Sequence, residues 1–233
     1  MKYNLRTFKL MLSLIKEDMI LMLILVAPIL AGLAIRFVVP VAASFVLVIK
    51  DYYLVFDIFY SALAPMLFAY VATMVVLEER DNKITPYYAI TPQGTKGYIV
   101  SRFIIPAVLA FIITLVLLPL FSLTGVCGLQ LIFMAFTGTC EGLIIALLMV
   151  AFSTNKLEAM AISKLASIVI MAAAVPFFIK SSIQYVLFPL PSLWISKFLL
   201  EEKFYFAVIA IALHVIWIYS LIRYIENKSL ASR

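Results

Sequence analysis

Six stretches of about 20 residues run along this chain almost without charge, and that pattern alone decides the class of fold. They are Met19 to Val39, Asp57 to Leu77, Tyr98 to Ser122, Leu129 to Phe152, Ala159 to Ile179 and Phe204 to Ile222. Lipid offers no partner to a backbone amide, so a spanning chain crosses as helices or as a closed barrel. Unbroken apolar runs, in place of strict alternation, select helices. Composition agrees: 66% of the 233 residues are hydrophobic and 13% charged, too little polar surface for a water-soluble fold. The sequence therefore predicts an all-α polytopic membrane protein, one transmembrane domain over residues 1–233.

Residues 4–16 read as an amphipathic helix lying in the membrane interface. Arg6, Lys9, Ser13 and Lys16 fall in one arc at 100° per residue, while Leu5, Phe8, Leu10, Met11, Leu12, Leu14 and Ile15 fill the rest. Polar Lys16, Glu17 and Asp18 follow with no small-residue cleavage site before them, so this segment is expected to be retained.

Orientation comes from the basic residues. With the N-terminus, 78–102, 153–164 and the C-terminus on one side, that side holds 13 Lys and Arg and the other holds 5. The positive-inside rule then places both termini in the cytoplasm and requires an even number of crossings. The net charge of +6 is explained by this asymmetry and implies no nucleic-acid partner. Lysines outnumber arginines two to one, as in an AT-rich bacterium, and the expected home is the bacterial cytoplasmic membrane.

Two apolar stretches outside the spans need separate readings. Residues 40–56, from Pro40 through Lys50, Asp51, Tyr52 and Tyr53, are expected to form an outer loop with tyrosines at headgroup level. Residues 180–203 are too short and too broken by Pro189 and Pro191 to span. With Trp194 beyond the prolines, they read as a short re-entrant hairpin dipping into the outer leaflet.

The cytoplasmic loop 78–97 opens with Glu78, Glu79, Arg80 and Asp81 and turns aromatic in its middle. Ile84, Tyr87 and Tyr88 have the i, i+3, i+4 spacing of one helical face, and Pro92 separates that helix from the third span. The face fits either a protein groove or the lipid headgroups, and the acidic start fits either a partner or a solvated helix N-terminus.

In this arrangement the chain resembles the permease subunits of type-2 ATP-binding-cassette (ABC) exporters over nearly its whole length. The shared features are the amphipathic N-terminal helix, six spans and the loop that begins with Glu78 and Glu79 and ends in Thr91 and Pro92. Tyr98 and Arg102 at the entry to the third span, the polar link Asn155 to Lys164 and the broken hairpin before the last span complete the pattern. The chain departs from it in lacking the usual small residue of the acidic motif and in placing Pro86 within the loop helix. The resemblance implies a coupling surface at Glu78, Glu79, Arg80, Ile84, Tyr87 and Tyr88 that docks on a cytoplasmic ABC ATPase. It also implies a second permease subunit, identical or related, and an outward-moving amphipathic cargo such as a peptide, a drug or a lipid.

No G-x-x-x-x-G-K-[ST] occurs, so this chain binds no nucleotide through such a loop, and ATP with its Mg would belong to the partner ATPase. No catalytic or metal-binding cluster is evident. Cys127 and Cys140 lie roughly 20 Å apart if helical, too far to bridge. Inside the spans, Glu141 is the one deep acid, with Gly138 and Gly142 a helical turn apart beside it. The acid marks either a substrate path or a bundle-packing contact, and the glycines mark close helix packing. His214 reads as a packing residue, and Arg36 and Asp57 as snorkelling residues at outer span ends. Pro28, Pro106 and Pro119 are expected to kink their spans. Two other classes of function stay open on these residues: a lipid-modifying membrane enzyme using Glu141 and His214 as acid and base, and a non-transporting scaffold or sensor.

Overall fold

The computed structural model describes residues 2–84, 87 and 94–231, with side chains over 5–84, 87 and 97–227. Six helices are long and apolar enough to cross a membrane. Span 1 is Met19–Phe45, span 2 ends at Asp81 after a 3₁₀ turn over Leu47–Tyr52, span 3 is Gly97–Phe121, and span 4 is Gly128–Phe152. Span 5 is Lys156–Phe178 and span 6 starts at Phe204, its helix reaching Ala231. Spans 2 and 4 are the centre of the bundle. Their most apolar windows are 72% and 61% buried, against 11% for span 1.

The close approach of spans 2 and 4 has a backbone cause. Pro65 lies within span 2 and has no N–H for the carbonyl of Ser61 one turn earlier. Gly138 of span 4 sits on that carbonyl so tightly that a Cβ would come within 2.4 Å of it, and a Cβ on Gly142 would lie 2.7 Å from the Pro65 oxygen. Two glycines one turn apart thus bring span 4 onto the kinked backbone of span 2. Met74, Val75, Ile145 and Met149 continue the contact toward the end of the bundle where span 2 finishes, the inner end in the orientation that the basic residues predict.

Two of the spans are closed at their first turn by side chains. Asp18 caps span 1 by accepting from the amides of Ile20 and Leu21, and Asn155 caps span 5 by accepting from Glu158. The N-terminal helix, Lys2–Glu17, buries Thr7, Met11 and Ile15 against the inner ends of the spans while Leu5, Leu10, Leu12 and Leu14 stay exposed.

Four expectations need correction. Residues 40–56 are not a loop: span 1 runs through Pro40 to Phe45, and after Val46 the chain is helical again. Proline's φ suits a helix, and the one lost hydrogen bond does not outweigh continued pairing of an apolar backbone. Span 5 is not one rod but Lys156–Ala166, Ile168–Met171, a 3₁₀ turn at Ala172–Ala174 and Val175–Phe178, broken ahead of Pro176. Pro106 brings more than a kink, since the turn before it, Val100–Ile104, is π-helical. Asp57 does not reach for water. It is fully buried, and its carboxylate accepts from the amides of Leu123 and Thr124 and from the Thr124 hydroxyl, tying span 2 to the turn after span 3. Arg36 is exposed and donates to the carbonyl of Ser122 at 2.7 Å, closing the end of span 3.

Candidate functional site

Three groupings of the candidate residues lie at three levels of the bundle. At the inner end of span 2 the acidic run divides by direction. Glu78 is half-exposed and pairs with Lys156 at 2.9 Å, and Arg80 donates to the carbonyl of Ser153 at 3.1 Å, so both hold the link between spans 4 and 5. Glu79 turns inward. Its carboxylate takes both the Nε and the Nη2 of Arg102 and the hydroxyl of Tyr98 at 2.8 Å, with Arg102 fully buried. Arg102 also donates to the carbonyl of Thr7 at 2.9 Å, so one buried fork joins span 2, span 3 and the N-terminal helix. The wide π turn is what aims Ser101 and Arg102 into the bundle.

Glu79 is therefore not part of an outward docking face. Beyond it, Ile84 and Tyr87 are 40% and 66% exposed, and the Tyr87 amide donates to the Ile84 carbonyl at 3.0 Å in a single turn. Tyr88 lies outside the described residues.

At the middle level, Gly138 and Gly142 face span 2, and Glu141, next to Gly142, faces span 6. There the structure brings together the two residues that only the enzyme reading had paired. His214 Nε2 stands 3.6 Å from Glu141 Oε1, with each residue 1% exposed. His214 Nδ1 donates to the carbonyl of Ala210 at 2.7 Å. Among the described residues, neither carboxyl oxygen of Glu141 nor Nε2 of His214 has a hydrogen-bond partner.

At the outer level, residues 182–187 form a 3₁₀ segment and Pro191–Glu201 an outer helix with Leu193, Trp194, Ile195 and Ser196 buried. The tip between them carries carbonyls that no helix uses. The Trp194 indole N–H donates to Phe188 at 2.9 Å and the Trp217 indole of span 6 donates to Pro189 at 2.8 Å. Pro189 and Pro191 bring no amide N–H that would need a partner there. Ser192 and Ser196 donate to the carbonyls of Val169 and Ala173, and so use acceptors left loose where span 5 breaks. Farther out, Lys197 bonds to Glu201 at 3.1 Å and Tyr185 at 3.2 Å. Burial works against the Lys197 charge, but those bonds outweigh it and raise the ammonium above its ordinary value. Bonds from Lys203 and then Lys197 hold the Glu201 carboxyl below the usual carboxylate range. Asp51, Lys180, Gln184, Lys197 and Glu201 line an open polar cleft beside them.

Cys127 is exposed, Cys140 is buried and both are free thiols. No curated protein and no solved structure matches the chain. Residues 11–222 match the family described as Fluoroquinolones export permease protein Rv2686c-like, in agreement with the resemblance to ABC exporter permeases. With the first five spans and most of the sixth inside the matched range, this chain belongs to that family of export permeases.

Proposed function

We propose that the chain is the membrane-spanning half of an ATP-driven exporter in the bacterial cytoplasmic membrane, with both termini in the cytoplasm. What supports this reading is the export-permease match joined to one observation: an exposed apolar turn, Ile84 and Tyr87, just beyond the inner end of span 2. An apolar pair on a charged loop suits a groove on a partner protein. That partner is a cytoplasmic ABC ATPase that holds ATP and Mg, and Ile84, Tyr87 and Tyr88 dock on it, with the half-exposed Glu78 and Arg80 at the rim. A second permease subunit completes the path, packing along sparsely buried faces such as that of span 1. The hairpin at 182–201 dips into the outer leaflet, its loose carbonyls satisfied by the two indoles.

The cargo is amphipathic. The family's description names fluoroquinolones, and a planar aromatic drug of that class is the first cargo to test. A lipid-modifying enzyme is disfavoured because Glu141 and His214 meet in the closed interior, away from where a lipid headgroup lies. The deciding experiment is purification of the tagged permease from its own host. A Walker-motif ATPase should accompany the wild type and be lost from Tyr87→Ala/Tyr88→Ala, which should still insert and fold. Recovery of the permease with no ATPase would favour the scaffold reading, and retention of the ATPase by the double variant would move the docking face elsewhere.

A further inference from the structure

The Glu141–His214 contact has a proton count that follows from its geometry. Nδ1 of His214 faces a carbonyl oxygen at 2.7 Å, and a carbonyl only accepts, so Nδ1 carries a hydrogen. In the neutral ring Nε2 is then a bare lone pair, and it points at a carboxyl oxygen 3.6 Å away, just outside hydrogen-bond length. An ionised carboxylate facing that lone pair would be repelled by it, and would be buried with no donor on either oxygen. One added proton removes both penalties, as O–H···N or as carboxylate and imidazolium, and the proton belongs to the pair as a whole.

Among the described residues, no Lys or Arg nitrogen lies within ion-pair distance of Glu141, and Arg223 on span 6 faces Glu226. On the elements packed against span 4, Asp57 is held by loop amides, Glu79 and Arg102 by each other, Lys156 by Glu78 and Lys197 by Glu201. The titratable neighbour on span 4 itself is the Cys140 thiol.

The seam that holds the pair is also incompletely closed. Toward the outer side, Phe133 and Phe136 of span 4 and Ala207, Val208 and Ile211 of span 6 line an apolar groove, and Ile211 lies one turn from His214. Toward the inner side the same two helices are sealed by Ile144 and Leu147 against Leu221.

We propose that Glu141 and His214 form a proton-binding site in the middle of the bundle, in which one bound proton keeps span 6 closed on span 4. When the proton leaves, the seam opens from the outer groove and water reaches the carboxylate. The closed state binds the proton and the open state does not need it, so low pH favours closure and rising pH favours opening. This holds whatever cargo the permease carries.

Cys140 reports on the seam directly, because it shares a face of span 4 with Phe133, Phe136, Ile144 and Leu147. In a Cys127→Ser background in lipid nanodiscs, N-ethylmaleimide labelling of Cys140 is followed from acid to alkaline pH and divided by the rate for Glu141→Gln. Glutamine donates to Nε2 in place of the protonated acid and cannot ionise, so that seam stays shut. The ratio should climb at least tenfold with pH. An ionised Glu141 beside the thiol would by itself slow thiolate formation, so acceleration reads opening and not electrostatics. A flat or falling ratio overturns the proposal. Infrared titration of the same samples should show one protonation step that is absent from Glu141→Gln, and no such step would equally overturn it.

Discussion

Arg102 and Glu79 face each other across the inner ends of spans 3 and 2 in a bidentate pair that is closed to solvent, and the same guanidinium reaches Thr7. Removing one partner leaves a buried charge without compensation. Arg102→Met alone should cost about 3–5 kcal/mol. Adding Glu79→Leu should recover most of that loss, because the second apolar side chain removes the stranded carboxylate. Thermal unfolding in detergent, followed by loss of the monodisperse peak, gives the order wild type, double variant, single variant. A single variant as stable as the wild type would show that the fork carries no structural load.

The contact of spans 2 and 4 makes a prediction with a built-in control. Gly138→Ala and Gly142→Ala each drive a methyl into backbone, at Ser61 and at Pro65, and should destabilise by about 1–3 kcal/mol. The nearest atoms to a Cβ on Gly32 belong to the side chains of Phe121 and Tyr60, so Gly32→Ala displaces rings and the Tyr60 bond to Pro28 rather than backbone, and should cost less. The same unfolding assay ranks the three, and an equal cost for all would contradict the backbone explanation.

Topology is testable with single cysteines in a background without native thiols, Cys127→Ser/Cys140→Ala. Asn82 and Leu157 are exposed at the end of span 2 and the start of span 5, and cysteines there should react only with reagents that enter the cell. Ile183 and Val186 are exposed on the hairpin and should label from outside; the adjacent Gln184 is buried and suits the purpose poorly. Labelling of position 82 from outside would reverse the orientation inferred from charge.

The outer helix should loosen in acid. The Glu201 carboxyl is held below the ordinary carboxylate range by Lys203 and Lys197, so its contribution is present above that ordinary range and lost as pH falls through the lowered value. Hydrogen exchange over 197–203 should therefore speed up, after correction for intrinsic rates, as the pH is lowered to about 3. Glu201→Gln should already be loose at neutral pH and show no further acid response. The exposure of Lys203 keeps the effect local and modest.

Apolar run length makes the six spans legible as elements but not all of their ends: span 1 passes Pro40 and runs to Phe45, span 2 is α-helical from Tyr53, and the helix of span 6 continues past Ile222 to Ala231. A proline ends a helix in water more readily than in lipid, where the alternative is an unpaired backbone. The packing role of Gly138 and Gly142 was readable from spacing, but their partner carbonyls on span 2 were not, since the register between two helices is set by both. Glu79 and Arg102 were both visible as notable residues. What hid their union is the π turn, which rotates Arg102 inward by an amount no 3.6-residue wheel predicts. Glu141 stands out in the sequence by the cost of a deep acid, whereas His214 reads either as a packing residue or as the acid's catalytic partner, and spacing along the chain does not show that the two meet across the bundle. Asp57 shows the same blind spot, as its partners are amides of a distant turn that no composition reveals.

The chain has two tryptophans, Trp194 and Trp217, and both indole N–H groups are spent on consecutive carbonyls at the tip of the outer hairpin. Its intrinsic fluorescence is therefore a single-location signal without any label. Emission maximum and quenching by iodide or by brominated lipid both read the wetness and depth of that tip. Removing either ring by Trp→Phe separates the hairpin's own view from that of span 6. Movement of the hairpin away from span 6 during a transport cycle would break the Trp217 bond to Pro189 and leave that of Trp194 to Phe188 intact, so the two emissions would part company. An unlabelled protein can thus report on the position of its own hairpin in a stopped-flow cuvette.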